Sequence, residues 1–313
     1  MARERVLITG ASGFLGSALA LEALREWDVI AQWHTHEISD PRVHSINCDL
    51  GDSAALSQLI ETHQVDVVIN CAALTNVDGC EHNEALAAHL NGDAVRILGE
   101  ACRGTDTHLI HISTDAVFGG DPPPYSPASK PSPINAYGRT KLLGEEAASA
   151  FAEHSLIART NIVGWSPSGS RSLMEFFYSN LKAGRTVSGF TDVLFRPAPV
   201  PQVARGLLAL ASERATGLIH ITGDQLISKY DFGCLVAKTF GLDPSLVIPG
   251  SVAASELSAT RATSLDAVPS LEDPRLNPYP ISLGEGLREL ATLEEGGYRR
   301  ELAAFGGYGV KRD

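Results

Sequence analysis

The sequence predicts an α/β protein, a doubly wound parallel sheet with a smaller C-terminal lobe, and three observations predict it. Short apolar runs alternate with longer amphipathic stretches through the first half of the 313 residues. Those runs show little sustained polar–apolar alternation, as strands covered on both faces should. Three glycines spaced three apart stand between the first run and the first helical stretch, where sheets of this kind hold phosphate groups.

Taken in order, Val6-Leu7-Ile8 is the first strand, Leu15 to Leu24 a helix, Val29-Ile30-Ala31 the second strand, and a third ends before Cys48-Asp49-Leu50. Val65 to Ile69 is the next strand. A helix from Glu84 to Ala101 follows, with Leu86, Leu90, Ile97 and Leu98 at helical spacing. His108 to Ile112 is another strand. Pro122, Pro123, Pro124, Pro127, Pro131 and Pro133 then make a stiff loop, which should lie beside the ligand crevice. A helix from Asn135 to Glu153 and a strand at Leu156-Ile157-Ala158 complete the regular pattern, joined by right-handed crossovers. Residues 1–164 therefore read as a Rossmann-type dinucleotide-binding domain, with 200–221 packing back on it. Residues 165–199 and 222–290 read as the substrate lobe. Residues 291–313 read as a tail, loosened by the five glycines from Gly296 onward.

The chain carries 25 Lys+Arg against 37 Asp+Glu, a formal charge of −12. That balance argues against a nucleic-acid binder, which needs a basic face. Five cysteines without a C-x-x-C pair suit neither a disulfide framework nor a zinc site, and point to the cytoplasm. The sequence has no apolar run of membrane-spanning length. A homodimer is compatible with all of this.

In V-L-I-T-G-A-S-G-F-L-G, Gly10 allows a tight turn, Gly13 a close approach of backbone to a pyrophosphate, and Gly16 the pressing of helix on sheet. The N–H groups from Ser12 through Phe14 and Leu15 should face the phosphates at the favourable end of the helix dipole. After the second strand come His34, Thr35 and His36, where an NAD-selective site usually places a carboxylate for the ribose 2′-hydroxyl. With none there, NADP(H) is favoured over NAD(H). The two histidines lack a third ligand, so no metal is expected. Asp49, followed by Leu50, is placed to accept from an adenine amino group.

Tyr137 and Lys141 are four apart and share one helical face. A cation beside the phenol should lower its pKa from about 10 toward the working pH, as a general acid requires. Ser113, Thr114 and Asp115 stand at the carboxyl end of a strand, where a hydroxyl can polarise a substrate carbonyl.

T-G-A-S-G-F-L-G, N-C-A-A-L-T-N-V-D-G-C-E at 70–81, I-S-T-D-A-V-F at 112–118 and N-A-Y-G-R-T-K at 135–141 together resemble the extended short-chain dehydrogenase/reductases. Within them the chain resembles the dTDP-4-dehydrorhamnose reductase branch of sugar-nucleotide reductases, out to Ile227–Phe232 and Ser264-Leu265-Asp266. The resemblance implies Thr114, Tyr137 and Lys141 as the catalytic set, with Tyr137 protonating a 4-ketosugar oxygen as hydride arrives from the nicotinamide. It implies Asp115 as a sugar contact, Cys71, Ala72, Ala73 and Thr75 as the segment under the cofactor, and Asn91 as the match to a helix asparagine often present in these folds. Two positions depart from the branch: Ala116 replaces its usual Tyr and Ile162 its usual Trp. Both lie on the sugar side, so the pocket is reshaped and the product need not be rhamnose.

The leading reading is an NAD(P)H-dependent reductase of a nucleotide-linked 4-ketosugar. A dehydratase would carry Glu where Ala116 stands. The alternatives kept open are a nucleotide-sugar epimerase of the same superfamily and a non-catalytic NADP-binding regulatory subunit. Because the implied ligands are polyanions and the chain is acidic, affinity should rise modestly as salt screens the global field.

Overall fold

The computed structural model describes residues 3–120, 123–254, 258–270, 273–276 and 278–308. Strands β1 (Arg5–Thr9), β2 (Asp28–Trp33), β3 (His44–Asn47), β4 (Val67–Asn70), β5 (His108–Thr114) and β6 (Ser155–Thr160) belong to the main sheet. Four short strands follow, β7 (Ile162–Val163), β8 (Val187–Phe190), β9 (Leu194–Phe195) and β10 (Ala198–Pro199), before β11 (Gly217–Ile221) rejoins the main sheet. Its order is β11-β6-β5-β4-β1-β2-β3 and every pair is parallel. The chain winds outward from β1 to β3 and then returns to β4 on the other side. The carboxyl ends of β1 and β4 therefore flank a topological switch point, where open α/β sheets bind ligands.

Helices α1 (Phe14–Ala23), α2 (Ser53–His63), α3 (Val77–His82), α4 (Glu84–Ala88), α5 (Ala94–Cys102), α6 (Ala136–Ser149), α7 (Leu173–Lys182) and α8 (Val200–Ser212) cover the sheet or extend from it. Residues alternate across the strands. Val6, Ile8, Val67 and Ile69 pack with Leu19 of α1 and Val203 and Leu207 of α8. Leu7, Ile30, Val68 and Leu109 face the other way, onto Leu56 and Ile60 of α2 and Leu98 of α5. The single helix expected over Glu84 to Ala101 is interrupted by a π turn, His89–Asp93. The wider turn carries Asn91 inward, fully buried, where its side chain accepts from Leu74 N at 2.8 Å and donates to Leu74 O and Thr140 Oγ1 at 3.1 Å each.

In the C-terminal part, β12 (Ile227–Ser228) pairs antiparallel with β9, β13 (Val247–Gly250) parallel with β8, and β14 (Ser264–Leu265) parallel with β9. β10 pairs with β7. Helix α9 (Lys229–Thr239) starts at Ser228, whose hydroxyl accepts from Asp231 N. The proline-rich loop docks on this part. Tyr125 N donates to Asp266 O at 2.8 Å, Val268 N to Tyr125 O at 2.9 Å, and the Tyr125 ring stacks on Phe118. Pro122 lies outside the described residues.

The loose tail is a correction. Helix α10 (Leu283–Glu295) runs through position 290, and α11 (Tyr298–Phe305) follows. Gly297, at φ +83°, makes the corner between them, so glycine here serves a turn instead of disorder. Leu283, Leu287, Leu290, Leu302 and Phe305 are buried, and Trp165 Nε1 donates to Leu290 O at 2.8 Å. The expectation for 309–313 falls outside the described residues. Among the described residues no helix is long and apolar enough to cross a membrane.

Candidate active site

The glycine turn between β1 and α1 is built by contact. Gly10 sits at φ +62°, and a Cβ there would come 2.8 Å from Ala72 Cα. A Cβ on Gly16 would come 2.3 Å from Gly10 O. Gln32 on β2 braces the turn, accepting from Gly10 N at 2.8 Å and donating to Cys48 O at 2.5 Å. One expected donor is already used: Gly13 N–H closes the turn onto Gly10 O at 2.8 Å. Helix α1 has no side-chain cap and no acidic residue in its first turn. Its first N–H groups, at Phe14 and Leu15, lack intrahelical acceptors by position and sit on the wall of a cavity of about 430 Å³. An uncapped helix start of this kind favours an anion.

Gly13, Phe14, Leu15, Cys71, Ala73, Thr75, Thr114, Asp115, Ala116, Tyr137, Lys141 and Ile162 all line that cavity. Gly10, Ser12 and Gly16, and Ala72 packed against Gly10 from just after the end of β4, lie beneath it and do not line it. His34, Thr35, His36, Asp49 and Leu50 also stand off it. His34 and Thr35 are exposed, and the His36 ring stacks on Tyr308 with centroids 4.3 Å apart. Asp49 is exposed and accepts from Gly51 N, while Leu50 packs against the α2 and α5 side of the core.

Tyr137 and Lys141 lie in the first turns of α6, which Asn135 caps by accepting from Gly138 N at 2.9 Å. The cation does not act on the phenol as spacing suggests. Burial pushes the Tyr137 pKa well above its usual value, the neighbouring Asp115 and Cys80 push the same way, and only the hydrogen bond with Thr114 opposes them. Lys141 is directed elsewhere, donating from Nζ to Ile112 O at 2.6 Å and lying 3.3 Å from His111 Nε2. Burial lowers its own pKa to about 8, against the raising influence of Glu145 and Cys71. Tyr137 is thus a protonated phenol at neutral pH, ready to donate and not pre-ionised.

Thr114 Oγ1 accepts from Ala116 N at 3.1 Å and donates to Asp115 Oδ1 at 3.2 Å. Asn161, just after β6, donates to Asp115 Oδ2 at 2.7 Å. Burial still raises the Asp115 pKa to about 6. The cavity also takes in residues that local patterns do not flag. Lys229 begins α9, Arg261 precedes β14 and Arg171 precedes α7, and all three line the cavity. Arg261 is anchored to Asp78 at 2.9 Å. Burial, then the Arg261 charge, lowers the Lys229 pKa, with Asp115 opposing. Val193, Phe195 and Leu265 add an apolar wall near Ala116 and Ile162. In an acidic chain, three cations lining the same cavity as an uncapped helix start mark a site for an extended polyanion.

The family model for the RmlD substrate binding domain matches residues 4–267. The dTDP-4-dehydrorhamnose reductase of Mycobacterium tuberculosis is 36% identical over 268 residues, 83% of this chain and 83% of that protein. Methionine adenosyltransferase 2 subunit beta of Xenopus laevis is 32% identical over 254 residues, 79% and 75% of the two chains. Among solved structures, the Bacillus anthracis dTDP-4-dehydrorhamnose reductase in complex with NADP superposes with a TM-score of 0.81 at 26% identity, covering 92% of this chain and 99% of that one.

Proposed function

The chain belongs to the RmlD substrate binding domain family, and on that premise we propose that it is an NAD(P)H-dependent reductase of a nucleotide-linked 4-ketosugar. The convergence of Thr114, Tyr137 and Lys141 in one cavity, beside the open N-terminus of α1, carries the reading. The dinucleotide's phosphates meet the N–H groups of Phe14 and Leu15, while Cys71, Ala73 and Thr75 line its path. When bound, the reduced nicotinamide supplies the hydride. The residues supply the rest: Thr114 hydrogen-bonds the ketone oxygen, and Tyr137 gives it a proton. Lys229, Arg261 and Arg171 offer charge to the substrate's diphosphate, with Asp115, Ala116 and Ile162 on the sugar side. Residues 165–199 and 222–290 act as the substrate lobe.

NADP(H) is the preferred cofactor in this reading, supported by the lack of a carboxylate at His34, Thr35 and His36 and by the NADP held in the Bacillus anthracis relative. A cytoplasmic location is supported by five unpaired cysteines, three of them buried. Its partners are the small substrate and a second copy of the chain, without nucleic acid, for which the −12 charge is unsuited. The likeness to a methionine adenosyltransferase 2 subunit beta keeps a non-catalytic, cofactor-binding regulatory subunit as the second reading. Following NADPH and NADH consumption with a panel of nucleotide-linked ketosugars separates the two. Turnover with NADPH supports the reductase, and tight NADPH binding without turnover of any sugar supports the regulatory reading.

A further inference from the structure

A chain of buried polar groups runs behind the active site, from the strand that leads into the glycine turn to Lys141. Thr9, Asn70, His111 and Lys141 are each at most 2% exposed. Thr9 Oγ1 donates to Asn70 Oδ1 at 2.6 Å, and Ala72 N donates to the same oxygen at 3.2 Å. A backbone N–H can only donate, so that atom of Asn70 is the amide oxygen and the other is the NH₂. The NH₂ faces His111 Nδ1 at 3.2 Å, which must therefore accept. Burial, then the Lys141 charge, keeps the His111 pKa well below its usual value, so the ring is neutral. A neutral ring that accepts at Nδ1 carries its hydrogen on Nε2. That N–H points at Lys141 Nζ, 3.3 Å away. The ring is held in place, because a Cβ on Gly144 of α6 would come 2.9 Å from Nε2.

An ammonium has three donors and no lone pair. It satisfies Ile112 O but meets the His111 Nε2–H donor to donor, whereas a neutral amine accepts from it. We infer that His111 is a positioning residue whose Nε2–H tautomer, imposed by Asn70, meets Lys141 donor to donor and so favours its neutral amine over the ammonium. The other titratable groups facing Lys141 are Glu145, one turn on along α6, whose charge favours the ammonium, and Cys71 after β4. Cys71 is a neutral thiol at neutral pH, its pKa raised by burial to about 12. Tyr137 lies one turn back on α6. The tautomer therefore opposes Glu145. A lysine poised in this way can return a proton toward Tyr137 after each turnover, a role that rests on the reductase reading.

The test is NMR on the whole chain. Long-range ¹⁵N correlation of the His111 ring is expected to place its hydrogen on Nε2, and a hydrogen on Nδ1 overturns the inference. Titration of lysine ¹³Cε, with Lys141 assigned by its absence in Lys141→Met, is expected to give a midpoint near 8. In His111→Phe the midpoint should rise by about one unit or more, with the alkaline limb of the pH–rate profile moving alongside; an unchanged midpoint overturns the inference. Asn70→Asp keeps the shape, accepts from Ala72 N and from His111, and should move the ring hydrogen to Nδ1. It serves if His111→Phe fails to fold, and a ring hydrogen still on Nε2 in it counts against the inference. Expected NMR results without ketosugar turnover would sink the reductase reading alone. Turnover with an unshifted Lys141 would sink this inference alone.

Discussion

Asn161 Nδ2 donates to Asp115 Oδ2 across 2.7 Å, joining the residue after β6 to the turn that follows Thr114. Even with this bond and one from Thr114, burial holds the Asp115 pKa at about 6, above the ordinary value of 3.8. A carboxyl whose folded pKa is raised contributes stability that is complete below the unfolded value and is lost as pH rises through the folded one. The carboxylate at pH 7.5 is therefore a destabilising charge, kept next to the reacting groups.

Replacing Asp115→Asn removes that ionisation. The melting temperature of the variant relative to the natural chain should be higher at pH 7.5 than at pH about 4, with the change spread between 3.8 and about 6. Differential scanning across pH measures it, and a difference that stays flat with pH would show that Asp115 is not the buried acid described here. Ketosugar turnover should fall in the same variant.

The Arg159 guanidinium forks onto Glu145 at 2.8 and 2.6 Å, both residues are almost wholly buried, and Ser113 donates to the same carboxylate. Arg159→Met strands the carboxylate and should cost about 3–5 kcal/mol. Glu145→Leu combined with Arg159→Met should cost less than the single change, since no buried charge is left over. Urea unfolding of the three chains gives the comparison, and equal losses in single and double variants would contradict it.

Gly16→Ala would push a methyl group to within 2.3 Å of Gly10 O, a fixed backbone atom, whereas Gly13→Ala meets the same oxygen at 3.0 Å. The first change should abolish NADPH binding by deforming the turn and the second should weaken it less. Calorimetric titration of both variants checks the order, and a Gly16→Ala chain that binds normally would show that the turn does not carry the dinucleotide.

The parts legible in the sequence are those whose cause is local. Gly10, at φ +62°, and Gly16, pressed on Gly10 O, report demands of the turn itself, and the Tyr137 to Lys141 spacing reports a helix face. The phenol's pKa was not legible, because the Lys141 ammonium is drawn to Ile112 O on a neighbouring strand, a contact that spacing along α6 cannot show. Lys229 and Arg261 reach the cavity through pairings of β9 with β12 and β14, across gaps of more than thirty residues. The π turn at Asn91 gave only a weak signal, a buried asparagine in a helical pattern. The helix α10 was legible too: Leu283, Leu287 and Leu290, at the end of the stretch read as the substrate lobe, repeat at helical spacing.

The central claim is that Tyr137 protonates a sugar carbonyl as it is reduced. The direct measurement is incubation of the natural chain and Tyr137→Phe with NADPH deuterated at the transferring position and a nucleotide-linked 4-keto-6-deoxysugar, followed by mass spectrometry and NMR of the sugar. The account predicts deuterium on the former carbonyl carbon, one NADPH consumed per sugar, and a rate lower by about 10²–10⁴-fold in Tyr137→Phe. An inverted sugar centre without deuterium, or near-normal turnover by Tyr137→Phe, would contradict it.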